Sequence, residues 1–105
     1  KQLFQSQIFF MLYNINLLFM NINELIAIVK SRLETEIIIQ DLKIEDKSFL
    51  HKNHKGNQEG KFHLKLIIKS DELSGLSKIA STKRVYSILD LELKEHIHSI
   101  QILLS

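Results

Sequence analysis

The sequence contains no cysteine, and that absence sets the first limits. No disulfide can form, so nothing draws the chain toward an oxidising compartment, and a cytoplasmic location is expected. The chain supplies neither a thiolate nucleophile nor a sulfur ligand. Any soft-metal chemistry must take histidine from this chain and sulfur from another molecule. Proline and tryptophan are also absent, while Leu, Ile and Lys dominate. That reads as a bias of composition, without chemical content. Neither sign of charge prevails, since 14 basic residues face 12 acidic ones for a net charge of +2. So mild a balance does not announce nucleic-acid binding. Enzyme motifs are lacking as well. There is no glycine-rich phosphate loop and no HExxH, and no hydroxyl stands at a motif spacing from a general base. With 105 residues the chain suits one domain with one modest core. A non-enzymatic binding or adaptor role gains weight accordingly.

Residues 1–20, KQLFQSQIFFMLYNINLLFM, form an apolar extension interrupted by Gln5, Ser6, Gln7, Asn14 and Asn16. A membrane span needs roughly 20 mostly apolar residues, so this is a poor one, and no membrane association is expected. The basic start and small-residue cleavage site of a signal peptide are missing. Met20 stands immediately before a clean helix start, which favours it as the true start with residues 21–105 as the domain, a membrane-proximal or partner-binding apolar arm being the lesser alternative.

Asn21 followed by Glu24 has the spacing of a capping box, with Asn in place of Ser or Thr. Ile22, Leu25, Ile26, Val29 and Leu33 then make one apolar helix face, predicting a helix to about Leu33. Glu36–Glu45 is rich in isoleucine and predicts a strand. Asp46–Gly60 is a long polar loop with Gly56 and Gly60 as breakers, and loops of that length are often functional. Lys61–Ser70 is the clearest strand. Phe62, Leu64, Leu66 and Ile68 fall on its core face, and His63, Lys65, Ile67 and Lys69 on the outside, which makes His63 a surface residue. Asp71–Gly75 reads as a turn. A helix capped by Ser77 then buries Val85, Leu89 and Leu93 and ends over Lys94–His98. Asp90, Glu92 and Glu95 read as its solvated face. Ser99–Leu104 is a last strand. The order helix, strand, strand, helix, strand predicts a two-layer α+β domain. Its three-stranded mixed sheet has an antiparallel first pair, a parallel last strand and helices on one face.

The stretch His63–Ser105 carries more than periodicity. It combines a strand ending in Ser70, the Gly75-Leu76-Ser77 turn, Arg84-Val85-Tyr86 with Leu89, Glu92-Leu93, and Ile97-His98-Ser99-Ile100. This ordered set resembles the BolA-like family, and the first helix and histidine-bearing loop fit it too. The resemblance implies a class II KH-like α-β-β-α-β fold. It also implies a monothiol glutaredoxin partner and a [2Fe-2S] cluster shared with that glutaredoxin and glutathione. No cofactor is expected when the chain is alone, as a monomer or weak homodimer. Iron–sulfur trafficking or iron regulation is the function implied. The family's characteristic histidine matches His98. A loop ligand is matched best by His54, nine residues before His63, with His51 in reserve. The arginine- and histidine-rich run of many members is replaced by Ser81-Thr82-Lys83 before Arg84.

Imidazole is a good ligand for iron, zinc and copper, and it must be neutral to bind. Such binding weakens as pH falls below about 6.5. Other readings stand beside this one. His98 shares parity with Ile100, Ile102 and Leu104, which predicts a partly packed ring. His96 and His98 share a face in an extended segment, and the resemblance, not the spacing, selects His98. His51 and His54, spaced H-x-x-H, equally suit half of a zinc site in an interaction module, or plain solvation in a polar loop. A KH-like fold also admits a nucleic-acid-binding transcriptional regulator. Lys78, Lys83 and Arg84 would then contact phosphates, although the same three residues suit a solvated helix face and the GxxG clamp is missing.

Overall fold

The computed structural model describes residues 20–48 and 61–105. Residues 1–19 and the loop histidines His51 and His54 lie outside them. Met20 itself is buried and joins the core.

The capping box is present. Asn21 Oδ1 accepts from the backbone N–H of Glu24 at 2.9 Å, and Asn21 Nδ2 donates to Glu24 Oε1 at 2.9 Å. The side-chain amide thus takes the second donor role that a backbone N–H fills in the usual form. Helix α1 runs Ile22–Glu36, past the expected end at Leu33, because the N–H of Ile37 still bonds the Leu33 carbonyl. Leu25, Val29 and Leu33 are its fully buried stripe. The strand expected from Glu36 begins only at Asp41, and Ile38 is left exposed in the link.

Strands β1 (Asp41–Asp46), β2 (Phe62–Lys69) and β3 (Ile97–Leu104) form one sheet in the order β1-β2-β3. β1 runs antiparallel and β3 parallel to β2, as the element order predicts. Leu42 and Ile44 face Ile68 and Leu66, which face Leu104 and Ile102 across the other pairing. Leu64, Leu66 and Ile68 are buried beneath the helices.

Between β2 and β3 the expected turn and single helix become three helices. Asp71–Gly75 contains the single turn α2 (Asp71–Ser74). Ser70 caps it, accepting from Leu73 N–H at 3.2 Å while donating to the Ile38 carbonyl at 2.7 Å. One hydroxyl so ties the end of β2 to the approach of β1. Ser77 caps α3 (Lys78–Ile88), accepting from Ala80 N–H at 3.1 Å. The chain then breaks at fully buried Leu89 (φ −95°, ψ 18°) before α4 (Asp90–Glu95). The apolar residues at spacing four read straight through this break, because both short helices bury the same side.

The break rotates Glu92 inward. Asp90 and Glu95 are exposed as expected, but Glu92 is 1 % exposed and forms an ion pair with Arg32 of α1. A carboxylate survives there because a partner reaches it. Leu25, Val29, Leu33, Leu73, Val85 and Leu89 complete one core over the sheet. Among the described residues, no helix is long and apolar enough to cross a membrane.

Candidate functional site

The parallel pairing of β2 and β3 slips by one residue at its start. Phe62 pairs with Ile97, but His63 pairs with Ser99. His98 is the extra residue, and a bulge of this kind re-aims a side chain. Its effect overturns the expected parity. Ile97 is buried in the core and Ile100 packs against it, whereas His98 and Ser99 are both exposed. The His98 imidazole is therefore not packed with Ile100, Ile102 and Leu104.

His63 is the second departure. It lies on the strand face that period two assigns, yet it is 4 % exposed and not a surface residue. Its Nδ1 shares a 2.6 Å hydrogen bond with Ser99 Oγ. Its ring meets His98 edge-on, with centroids 4.9 Å apart and planes at 64°. Its backbone N–H donates to Ser48 Oγ at 3.0 Å, and its carbonyl accepts from Lys47 N–H at 2.7 Å. A polar ring this buried is held by partners, which fix its orientation.

Both ends of the connection carrying His51 and His54 are pinned at this place. It leaves from Ser48, bonded to His63. It returns at Lys61 and Phe62, where Phe62 N–H donates to the His96 carbonyl at 2.8 Å and Lys61 Nζ to the Lys94 carbonyl at 3.4 Å. His54 stands six residues beyond Ser48. An extended chain of that length reaches about 20 Å at most.

His96 and His98 do not share a face. His96 is the C-cap of α4 and is buried, and among the described residues its Nε2 has no hydrogen-bond partner. Burial holds its pKa below the ordinary value, against the opposing pull of Glu95 and Glu92. That keeps His96 neutral, as a structural imidazole facing inward.

The basic trio on α3 divides. Lys78 and Lys83 are exposed. Arg84 is engaged, with Nη2 donating to the Glu36 carbonyl at 2.9 Å and pairing with Glu72 at 2.9 Å. It ties α3 to the end of α1 and to α2 while remaining exposed. Among the described residues, no group of three or more His, Cys, Asp or Glu is placed to hold a metal ion. The expected partnership of His98 with His54 or His51 falls outside the described residues. What the sequence reading missed is the set His63, Ser99 and Ser48 around His98. One signal for it was available: Ile97 and Ile100 are three apart, which strict alternation forbids and a bulge explains.

Residues 33–105 match the family described as BolA-like protein. The chain is 29% identical over 73 residues to the DNA-binding transcriptional regulator BolA of Haemophilus influenzae, over 70% of this chain and 68% of that protein. It is 30% identical over 79 residues, 70% of its length, to SufE-like protein 1, chloroplastic/mitochondrial, of Arabidopsis thaliana, and it spans only 21% of that longer protein. Among solved structures, the BolA domain of SufE1 from Arabidopsis thaliana superposes with a TM-score of 0.64 at 30% identity, covering 75% of this chain and 87% of that one. BolA1 from the same plant superposes at 0.65 with 27% identity and the same coverage.

Proposed function

The chain belongs to the BolA-like family, and from that premise we propose that it is a non-enzymatic adaptor that binds a monothiol glutaredoxin and co-ligates a [2Fe-2S] cluster. The observation that carries this reading is the exposed His98 imidazole, standing on a bulge where both ends of the His54 loop are anchored. His98 and His54 are the proposed ligands and His51 the reserve. The residues fit the group in kind. A cysteine-free chain joins such a site through nitrogen, and the thiolates come from glutaredoxin and glutathione. A [2Fe-2S] centre with imidazole ligands supplies one-electron chemistry at a higher potential than an all-thiolate centre. His98 offers an exposed ring projected from the bulge of β3. The edge-on His63 ring, itself held by Ser99, borders that ring, so less order is lost when it binds. A cytoplasmic setting suits these thiol partners.

Co-expression with a monothiol glutaredoxin tests the reading. The wild-type pair should carry visible absorption and circular dichroism bands of a heterodimeric cluster. His98→Ala should abolish them and His54→Ala should weaken them. Spectra and partner affinity unchanged in both variants would remove the proposal.

A second reading is favoured by the bacterial relative, which is named as a DNA-binding regulator. Exposed Lys78, Lys83 and Arg84 supply its phosphate contacts here. It predicts DNA affinity that falls steeply with salt and drops in a Lys78→Ala/Lys83→Ala double variant. Absence of binding at low salt dismisses it.

A further inference from the structure

On the sheet face turned away from the helices, a cavity of about 350 Å³ adjoins the histidine pair. Lys47, His63, Lys65, Ser99, Ile100 and Gln101 line it. The strand registers assemble it, since Lys65 stands opposite Glu45 on β1 and Gln101 on β3, and His63 opposite Ser99.

Its charges do not cancel. Lys47 is already paired with Glu45 at 3.0 Å. The hydrogen bond from Lys47, and then the charges of Lys47, Lys43 and Lys65, hold the Glu45 carboxyl below its ordinary pKa. That one carboxylate therefore sits in a field set by three ammonium groups. Among the described residues Lys65 has no ion pair of its own. Among the described residues the cavity keeps one positive charge without an ion pair, beside Gln101. A monoanion with two oxygens matches that pair of donors. A dianion would leave a surplus negative charge close to Glu45.

We propose that this cavity is a carboxylate-binding site beside His98, in which Lys65 supplies the charge and Gln101 the amide donor. A carboxylate held here sits on the same rim as the His98 ring, through the shared residues His63 and Ser99. It belongs either to a free small acid or to an acidic group of a protein docked at His98. The assignment goes beyond the cluster reading and needs no cluster, because the chain alone suffices to test it.

The experiment is an NMR titration of the ¹⁵N-labelled chain with sodium acetate, with ionic strength held constant by sodium chloride. Acetate should shift the amides of Lys65, Ser99 and Gln101 saturably. Chloride and dianionic methyl phosphate should move them less. Lys65→Gln should weaken acetate binding by about three- to tenfold, and Gln101→Leu by less. Lys69→Gln, on the same strand face but outside the cavity, should leave it unchanged. Equal shifts with chloride, tighter binding of methyl phosphate, or full acetate affinity in Lys65→Gln each overturn the assignment. A second arm separates the sources, using binding of apo monothiol glutaredoxin to wild type and Lys65→Gln. A matching loss of affinity assigns the carboxylate to the docked protein. An unchanged affinity, with acetate binding still sensitive to Lys65, assigns it to a free small acid.

Discussion

The two faces of β2 obey different rules. On the helix side, Leu64, Leu66 and Ile68 alternate strictly and are at most 2 % exposed. On the other side Lys65, Ile67 and Lys69 remain at least partly open, but His63 is buried, with Ser48, Ser99 and His98 against it. Burial on the first face follows from the hydrophobic effect alone. Burial on the second is made by polar contacts between distant parts of the chain, and it falls where a bulge re-aims β3. A polar residue is thus hidden on the nominally solvated face, beside the exposed His98.

The largest contrast between the faces lies in stability. Leu66→Ala should cost about 2–5 kcal/mol in urea unfolding, because it empties a fully buried position. Lys69→Ala, next along the other face, should stay within about 0.5 kcal/mol. Similar losses for both would mean that the faces are not distinguished by packing.

The Arg32–Glu92 pair comes next. Arg32→Ala leaves a carboxylate buried without its partner, and since Arg32 is itself partly exposed the expected cost is about 1–3 kcal/mol. The double variant Arg32→Ala/Glu92→Leu should recover most of that loss. Failure to recover would show that Arg32 acts by packing instead.

Acid should then test the burial of His96. Burial lowers the folded-state pKa of His96, so the unfolded chain binds the extra proton first as pH falls through about 6.5. Stability is full above that value and declines on acidification. The urea midpoint should be lower at pH 5.5 than at pH 7.5, and His96→Phe should flatten the difference. An equally steep dependence in His96→Phe would place the titrating group elsewhere. Ser99→Ala carries the smallest effect, about 1 kcal/mol or less, read together with altered His63 ring resonances.

Much of the scaffold is legible in the sequence for local reasons. Asn21 and Glu24 close their cap within one turn, and the alternation of β2 needs only its own residues. What escapes the sequence depends on contacts far along the chain. Glu92 reads as solvated until the break at Leu89 turns it toward Arg32. Arg84 reads as a free cation until α1 and α2 bring Glu36 and Glu72 to it. His98 is picked out by family likeness, but its exposure comes from a bulge that reverses the parity of the strand. His63 is misread because nothing local to β2 says that Ser99 and Ser48 will close over it.

Pulsed EPR on the reduced complex speaks most directly to whether the bulged histidine is a ligand. The chain is labelled with ¹⁵N-histidine and the glutaredoxin is left unlabelled. The account predicts ¹⁵N hyperfine coupling from this chain, present in Ser99→Ala and lost in His98→Ala. A cluster-bearing wild-type complex with no ¹⁵N coupling from the labelled chain would contradict it.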